Sequence, residues 1–487
     1  MPDFISLMPQ LLQGGLANLA AYLAAHVLLC LLPAFFIAGA MTALIPKQAI
    51  TRFLGRSTPR MVSYPAAAAA GSVLAVCSCT IVPIFAGIYR KGAGLGPAIT
   101  FLFFAPAANI LALVYTGAII GPDFAFARFA LSLAFGIGIG LIMAVMFNAD
   151  DVDHDRATDA LFAAQPVPGS LAGALAFLAV WVALLLAGTL KLGFLTDAHL
   201  EFVVSAPWAE SMQATLDGLV PGDVSKGVEG ISVHGAALVL LLAAIGIAAW
   251  RGLERIHEGF GRWTWVALAL IAATLLFAAL AVQATPQGLA IGVTGRFIGV
   301  LAALILIAAV GRATLDDEAL RDWLWESWRF VKQIFPLLVV GVFLVGIARG
   351  IIRPEWIQAV AGANTLAGNA AGVAFGVFMY FPTLVEVPIA RMFLDLGMHR
   401  GPLLAYLMAD PELSLQSILI VSAVIGRLKT LAYVGWVAVF STAAGFAYGA
   451  WVDGANPFAV ALVVLAIVGL LAIALRSIAY RQRHAHA

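Results

Sequence analysis

The chain reads as long apolar runs separated by short polar intervals, from one end to the other. A run of about 20 apolar residues spans the hydrocarbon core of a bilayer as a helix. On that measure residues 24–45 form a first span. Before it, Phe4, Ile5, Met8, Leu12, Leu16 and Leu19 recur at roughly helical spacing and predict an interfacial helix over 4–23. Further runs follow at 62–89, 94–120, 126–147, 169–190, 234–250, 263–283, 290–311, 331–350, 363–394, 402–425, 430–449 and 457–475. Two of these are interrupted, 62–89 at Val82-Pro83 and 94–120 at Ala105-Pro106. The polar intervals are a basic stretch with Lys47, Arg52, Arg56 and Arg60, an acidic linker at 150–155, a long loop at 191–233, and an Arg-rich turn at 251–262. An amphipathic Trp-bearing stretch at 312–330 and a basic tail complete them.

The interruptions recur. Residues 71–121 and 376–426 align without a gap at an offset of 305, and twelve of the 51 positions are identical. Seven of the twelve are Gly or Pro, among them Gly92/Gly397, Pro83/Pro388 and Pro106/Pro411, so what is copied is mainly a backbone shape. A pair of helix-breaking segments in corresponding halves of an apolar chain points to a transporter's binding site.

Charge then sorts the loops, since basic loops stay on the cytoplasmic side. The 251–262 turn, the 312–332 stretch and the C-terminal tail belong inside, and the 191–233 loop, almost free of basic residues, belongs outside. Both the 46–60 loop and Arg90-Lys91 are placed inside only if 62–89 enters and leaves by one face, as a re-entrant hairpin. Irregular backbone at that depth is tolerated where protein or a watery cavity surrounds it. Seven full crossings then separate the two copies, an odd number, which turns one upside down relative to the other. The expected fold is an all-α polytopic membrane protein with about 11 transmembrane helices plus two re-entrant broken hairpins in an inverted-topology repeat. Its parts would be the interfacial helix 1–23, repeat 1 at 24–150, and a linker, periplasmic loop and extra spans at 151–330. Repeat 2 at 331–450 and a last span with the basic tail at 451–487 would follow.

Composition agrees: 62% of residues are hydrophobic and 11% charged, against about a quarter charged in an average soluble domain. The N-terminus lacks the basic region of a cleavable signal peptide. The three cysteines, Cys30, Cys77 and Cys79, lie in apolar sequence and do not form a disulfide framework. Walker-type glycine loops, HExxH, haem-attachment and iron–sulfur spacings are missing. No enzymatic activity, cofactor, resident metal or nucleic-acid partner is expected, and oligomeric state is not legible.

Candidate chemistry collects at the breaks. Cys77-Ser78-Cys79-Thr80 precedes Pro83, and thiolates are soft ligands for thiophilic ions. Cys30 could add a third sulfur or simply pack as a small hydrophobe. The second copy has no cysteine. It carries Glu386 where the first has Ile81, and Asp410 where the first has Ala105. Acids within membrane segments are functional candidates by default, so Glu386 and Asp410 are assigned proton coupling. A structural ion pair of Glu386 with Arg391 or Arg427, and a helix-capping role for Asp410, are the plainer alternatives. Asn109 either donates to substrate or satisfies backbone at the break. Pro83, Pro106, Pro388 and Pro411 are read as the hinges, Glu412 as lying nearer the surface, and the 150–155 linker as a solvated loop.

The stretch from Cys77 to Ile110 resembles the predicted-permease family that includes the ArsP organoarsenical efflux permeases. The resemblance rests on the Cys77-Ser78-Cys79 tip, Pro83, the turn with Gly92, Gly94 and Gly96, and the Ala105-Pro106 break. It implies a permease of the bacterial inner membrane, with export of trivalent organoarsenicals as the expected activity. Together these features predict a proton-coupled secondary transporter in which Cys77, Cys79, Thr80 and Asn109 contact a small-molecule substrate, the C-terminus being cytoplasmic. A permease for an anion or sulfur compound, and a membrane redox protein using the Cys-Ser-Cys tip, are the rivals.

Overall fold

The computed structural model describes residues 4–73, 78–162, 171–190, 193–220, 230–351, 354–378 and 383–456, with Leu462 and Ala466. The apolar runs become helices because in lipid each backbone polar group must be satisfied within its own segment. In chain order they are α1 (Phe4–His26), α2 (Leu32–Ala43), α3 (Lys47–Leu54), α4 (Arg60–Val73), α5 (Ser78–Arg90), α6 (Leu95–Ala107) and α7 (Ile110–Ile119). Next come α8 (Pro122–Met146), α9 (Asn148–Phe162), α10 (Leu171–Thr189), α11 (Gly193–Thr196), strand β1 (Ala198–Val204), α12 (Ala209–Leu219), α13 (Val233–Gly252) and α14 (Arg262–Ala278). After strands β2 (Ala281–Thr285) and β3 (Gly288–Thr294) come α15 (Gly295–Thr314), α16 (Asp317–Ile351), α17 (Pro354–Ala361) and α18 (Leu366–Phe378). The last described helices are α19 (Thr383–Asp395), α20 (Arg400–Leu413), α21 (Leu415–Ile425) and α22 (Arg427–Val452).

Among the described residues seven helices are long and apolar enough to cross a membrane, or nine if two bent pairs each count as one span. The bent pairs are Leu11–Ala24 with Val27–Ala43, at 52°, and α20 with α21, at 47°. The described residues thus account for seven to nine of the about 11 spans expected. The span expected at 457–475, and the basic tail, lie outside the described residues. The described residues are helical with one addition. Strands β1, β3 and β2 form an antiparallel sheet in that order, so the ends of the spans expected at 263–283 and 290–311 are a hairpin instead. Its turn is Pro286-Gln287, closed by Thr285 pairing with Gly288. The acidic linker is not a solvated loop either: it lies within α9, and Asp151 is buried.

The chain divides into two compact units. One comprises Met1–Pro46 with Pro166–Ile347. In it the stretch expected to be interfacial packs on α16: a methyl group at Gly15 would overlap the Phe343 ring, and one at Gly346 would meet Asn18. An aromatic cluster centres this unit, with Phe36 and Trp181 stacked at 4.6 Å and Trp323 edge-on to Phe177 at 4.9 Å. The Trp323 indole N–H donates to Phe36 O at 3.0 Å, which satisfies a polar atom that burial would otherwise orphan.

At the edge of this unit, Glu254 follows α13 and accepts from Lys332 Nζ at 2.7 and 2.9 Å and from Trp328 Nε1 at 2.7 Å. The bonds from Lys332 and then Trp328 hold its carboxyl below the usual range. A depressed folded value stabilises the fold above the ordinary glutamate range, and that stabilisation is lost as pH falls through the folded value. Thermal midpoints of the wild type should therefore drop on acidification below about pH 4.3. Glu254→Gln should lower the midpoint at neutral pH and flatten this acid limb; an unchanged limb would remove the pair from the stability of the unit.

The other unit comprises Lys47–Gln165 with Ala348–Ala487. Here the sequence repeat is a structural repeat, helix for helix: α3 to α8 recur as α17 to α22. Gly92 and Gly397 both turn the chain with φ near +90°, a conformation L side chains rarely adopt, which is why both positions are Gly. Each copy folds a hairpin. Gly94 N–H donates to Leu54 O at 2.8 Å and Gly55 bridges Ala93, so the chain leaves and returns at one level. In the second copy His399 N–H donates to Ala361 O at 2.9 Å. α4 runs parallel to α6, Tyr64 lying at Gly96 and Ala105 at Gly71. Arg60 and Gly94 line one cavity of about 220 Å3. Between copies α5 packs on α21 and α19 on α7, the reciprocal contacts that a two-fold relation generates.

Helix boundaries follow capping rather than proline. Pro83 and Pro388 sit inside α5 and α19, and Pro106 and Pro411 inside the last turns of α6 and α20. The expected breaks at Val82-Pro83 and Ala105-Pro106 are thus displaced. α6 ends at Ala107 and α7 starts after Asn109; α20 ends at Leu413 and α21 starts after Ser414.

Candidate functional site

An arginine in the second turn of an apolar helix needs an anion and acceptors, and Arg128 in α8 finds both. Its side chain is fully buried. Nε donates to Ala107 O at 2.8 Å, Nη1 to Thr116 Oγ1 at 3.1 Å, and Nη2 to Glu386 Oε1. Ala107 O is one of the carbonyls left over where α6 ends, so the guanidinium fills a vacancy that the break creates. Glu386 stands in the first turn of α19, in the other copy, and is equally buried. The ion pair therefore joins the two copies at the ends of their broken helices. Neither expected partner is used: Arg391 pairs with Asp395 at 3.0 Å, and Arg427 makes no ion pair among the described residues. Sequence reasoning passed over Arg128, although a charge inside an apolar run was the signal that singled out Glu386.

The equivalent place in the second half is built differently. Position 128 maps to Tyr433 and Ala107 to Glu412. Tyr433 Oη donates to Glu412 Oε2 at 2.6 Å, and both residues are buried. Glu412 thus lies in the interior, not near the surface; the proline beside it does not bring it to water. A second polar contact ties the copies together at Asp123, which pairs with Arg400 at 3.0 Å and accepts from Tyr448 Oη at 3.1 Å.

The other expected site residues are placed as follows. Cys77 lies outside the described residues. Cys79 is in the first turn of α5, its side chain outside them. Thr80 is buried in the same turn. Cys30 is buried in a π-helical turn (Val27–Leu31) of the other unit. Asp410 is buried in α20, and its backbone packs so close to Gly376 that a methyl group there would stand 2.9 Å from Asp410 N. Asn109 serves the break: Ala112 N–H donates to its Oδ1 at 2.9 Å, and Ser414 caps α21 in the same way through Ser417 N–H at 3.3 Å. Asn109→Ala should cost about 1 kcal/mol of stability, read as a lower thermal midpoint that Asn109→Asp largely restores; a neutral alanine would leave the cap without weight.

At the hairpin base, Leu95 N–H donates to Asp151 Oδ1 at 2.9 Å, which caps α6 from α9. Burial pushes the Asp151 carboxyl up, against that bond and the Arg56 guanidinium.

A family model described as predicted permease, ArsP_1, matches residues 13–450. The UPF0718 protein MJ0584 of Methanocaldococcus jannaschii is 31% identical over 447 residues, 92% of this chain and 98% of that protein. The UPF0718 protein YraQ of Escherichia coli is 31% identical over 97 residues, 20% of this chain and 28% of that protein. No solved structure matches the chain.

Proposed function

The chain belongs to the predicted-permease family ArsP_1, and on that footing we propose that it is a proton-coupled secondary transporter, not an enzyme, that exports a small thiophilic solute such as a trivalent organoarsenical. The observation that carries the reading is the buried Arg128–Glu386 pair joining two copies of one broken-helix module. A charge pair at that depth is expensive and marks a solute or ion path. Two hairpins that return to their own level leave an odd number of crossings between the copies, which supports an inverted repeat. Inverted copies present their hairpin tips to one site from opposite faces, the arrangement that alternating access uses. In this reading Cys77 and Cys79 take the soft centre of the solute, Thr80 orients it, and Glu386 and Asp410 exchange the proton. The helices bearing Pro83, Pro106, Pro388 and Pro411 move as short rigid pieces. The membrane is the bacterial inner membrane, with the C-terminus cytoplasmic.

Two experiments test this. Cells expressing the protein should resist at least one trivalent arsenical or antimonial, and Cys77→Ser/Cys79→Ser and Glu386→Gln should each abolish the resistance. Protection that survives the double serine change would remove the thiophilic site. Cysteines at Ser57 and Ala363, probed with an impermeant thiol reagent, should label from opposite faces; labelling from one face would overturn the inversion.

A further inference from the structure

We propose that Glu412, held by Tyr433, is a proton site of its own, distinct from the Glu386–Arg128 pair. Of the carboxyl groups the repeat places at its broken-helix ends, Glu386 has a cation, and Glu412 has none among the described residues. In the first half, Arg128 reaches Ala107 O and Glu386. In the second, the residue at Arg128's place is Tyr433, the residue at Ala107's place is Glu412, and the residue at Glu386's place is Ile81. A phenol donates one hydrogen bond and carries no charge, so it cannot neutralise a carboxylate.

Among the described residues, the groups that face Glu412 are Tyr433 from α22 and Glu386 from α19. Its own helix also carries Asp410 and Tyr406, two and six residues back and so on other faces of the helix, and Arg128 on α8 is already engaged by Glu386. α6, α18 and α21, which also pack on α20, contain no titratable side chain. An ionised carboxylate in such a place, with no cation, costs several kcal/mol, and the neighbouring Glu386 charge adds to that. A bound proton removes the cost and gives Glu412 a donor. Its Oε1 makes no hydrogen bond among the described residues, and neither amide atom of Gln416, buried four residues on, makes one. The break therefore keeps unfilled hydrogen-bonding capacity on both of its sides, as a site that loads and releases a proton through water requires. Tyr433 holds the carboxyl in place whether or not the proton is there.

The site's role in transport rests on the reading above, but the proton is observable without transport. The full chain in lipid nanodiscs would be followed by infrared difference spectroscopy through a pH titration. A protonated carboxyl gives a carbonyl-stretch band that moves in heavy water. One such band should be present at neutral pH, vanish in Glu412→Gln and shift in frequency in Tyr433→Phe, which loses one hydrogen bond; Glu201→Gln, on an exposed strand, should leave it unmoved. A spectrum unaltered by Glu412→Gln would overturn the proposal. Should the glutamine variant not fold, an unshifted band in Tyr433→Phe overturns it equally. Absence of any solute flux in the wild type would defeat the transporter reading and leave the band result standing. Loss of the band with undiminished flux would overturn the part Glu412 plays in coupling.

Discussion

Arg128→Leu is expected to destabilise the protein by about 3–5 kcal/mol, because it strands the Glu386 carboxylate in a dry interior. The arginine also serves Ala107 O and Thr116 Oγ1, and each buried acceptor left without a donor adds about 1–3 kcal/mol of unmet desolvation. Glu386→Leu alone should cost a similar amount by stranding the guanidinium. The double change Arg128→Leu/Glu386→Leu should recover much of the loss, since a well-packed apolar pair often matches a buried ion pair in stability. Thermal or denaturant unfolding in detergent reads all three. Transport should behave in the opposite sense: the double variant, though folded, should be inactive. A single variant within about 1 kcal/mol of wild type would mean that water reaches the pair, and the case for a sealed ion pair would fall.

The repeat was legible in the sequence because Gly and Pro impose backbone shape without help from distant residues. Gly92 and Gly397 turn the chain alike, and the 305-residue offset carries every helix from α3 to α8 onto its counterpart. The prolines misled. A proline in an apolar helix removes one backbone bond, and neighbouring helices make up for it, so α5 and α19 run through Pro83 and Pro388. The boundaries belong to Asn109 and Ser414, whose short polar side chains cap the next helix, a signal the sequence offered and proline overshadowed. Pairing was not legible at all. Arg128 and Glu386 are 258 residues apart, and an isolated charge in an apolar run announces a cost without naming what offsets it. Glu412 looked peripheral beside Pro411, yet its repeat partner is Ala107, wholly apolar in context; mapping it across the repeat would have put it inside. The sheet escaped because β3 reads as the apolar start of α15.

Gly445→Ala is expected to destabilise the second copy by about 1–3 kcal/mol, the usual range for overpacking, although helix propensity alone favours alanine by about 1 kcal/mol. Sterics win because of what the methyl group meets. At Gly445 it would stand 2.5 Å from Gly401 O and closer still to Asn369 Oδ1. At the repeat-related Gly140 it would stand 2.6 Å from Gly96 O and against Thr100 Oγ1. A side chain can rotate away; a carbonyl in the facing helix cannot, so α20 would be prised from α22 and α6 from α8. Small residues at helix contacts in membranes let backbones approach in this way. Gly435 supplies the control on α22 itself: nothing lies within 4 Å of a methyl group there, so Gly435→Ala should be neutral or stabilise by up to about 1 kcal/mol. The two substitutions on one helix thus have opposite expected signs. Unfolding midpoints that rise for both would show that α20 and α22 pack more loosely than these distances require, and that the rigid pieces assigned to the transport cycle are softer than the mechanism needs.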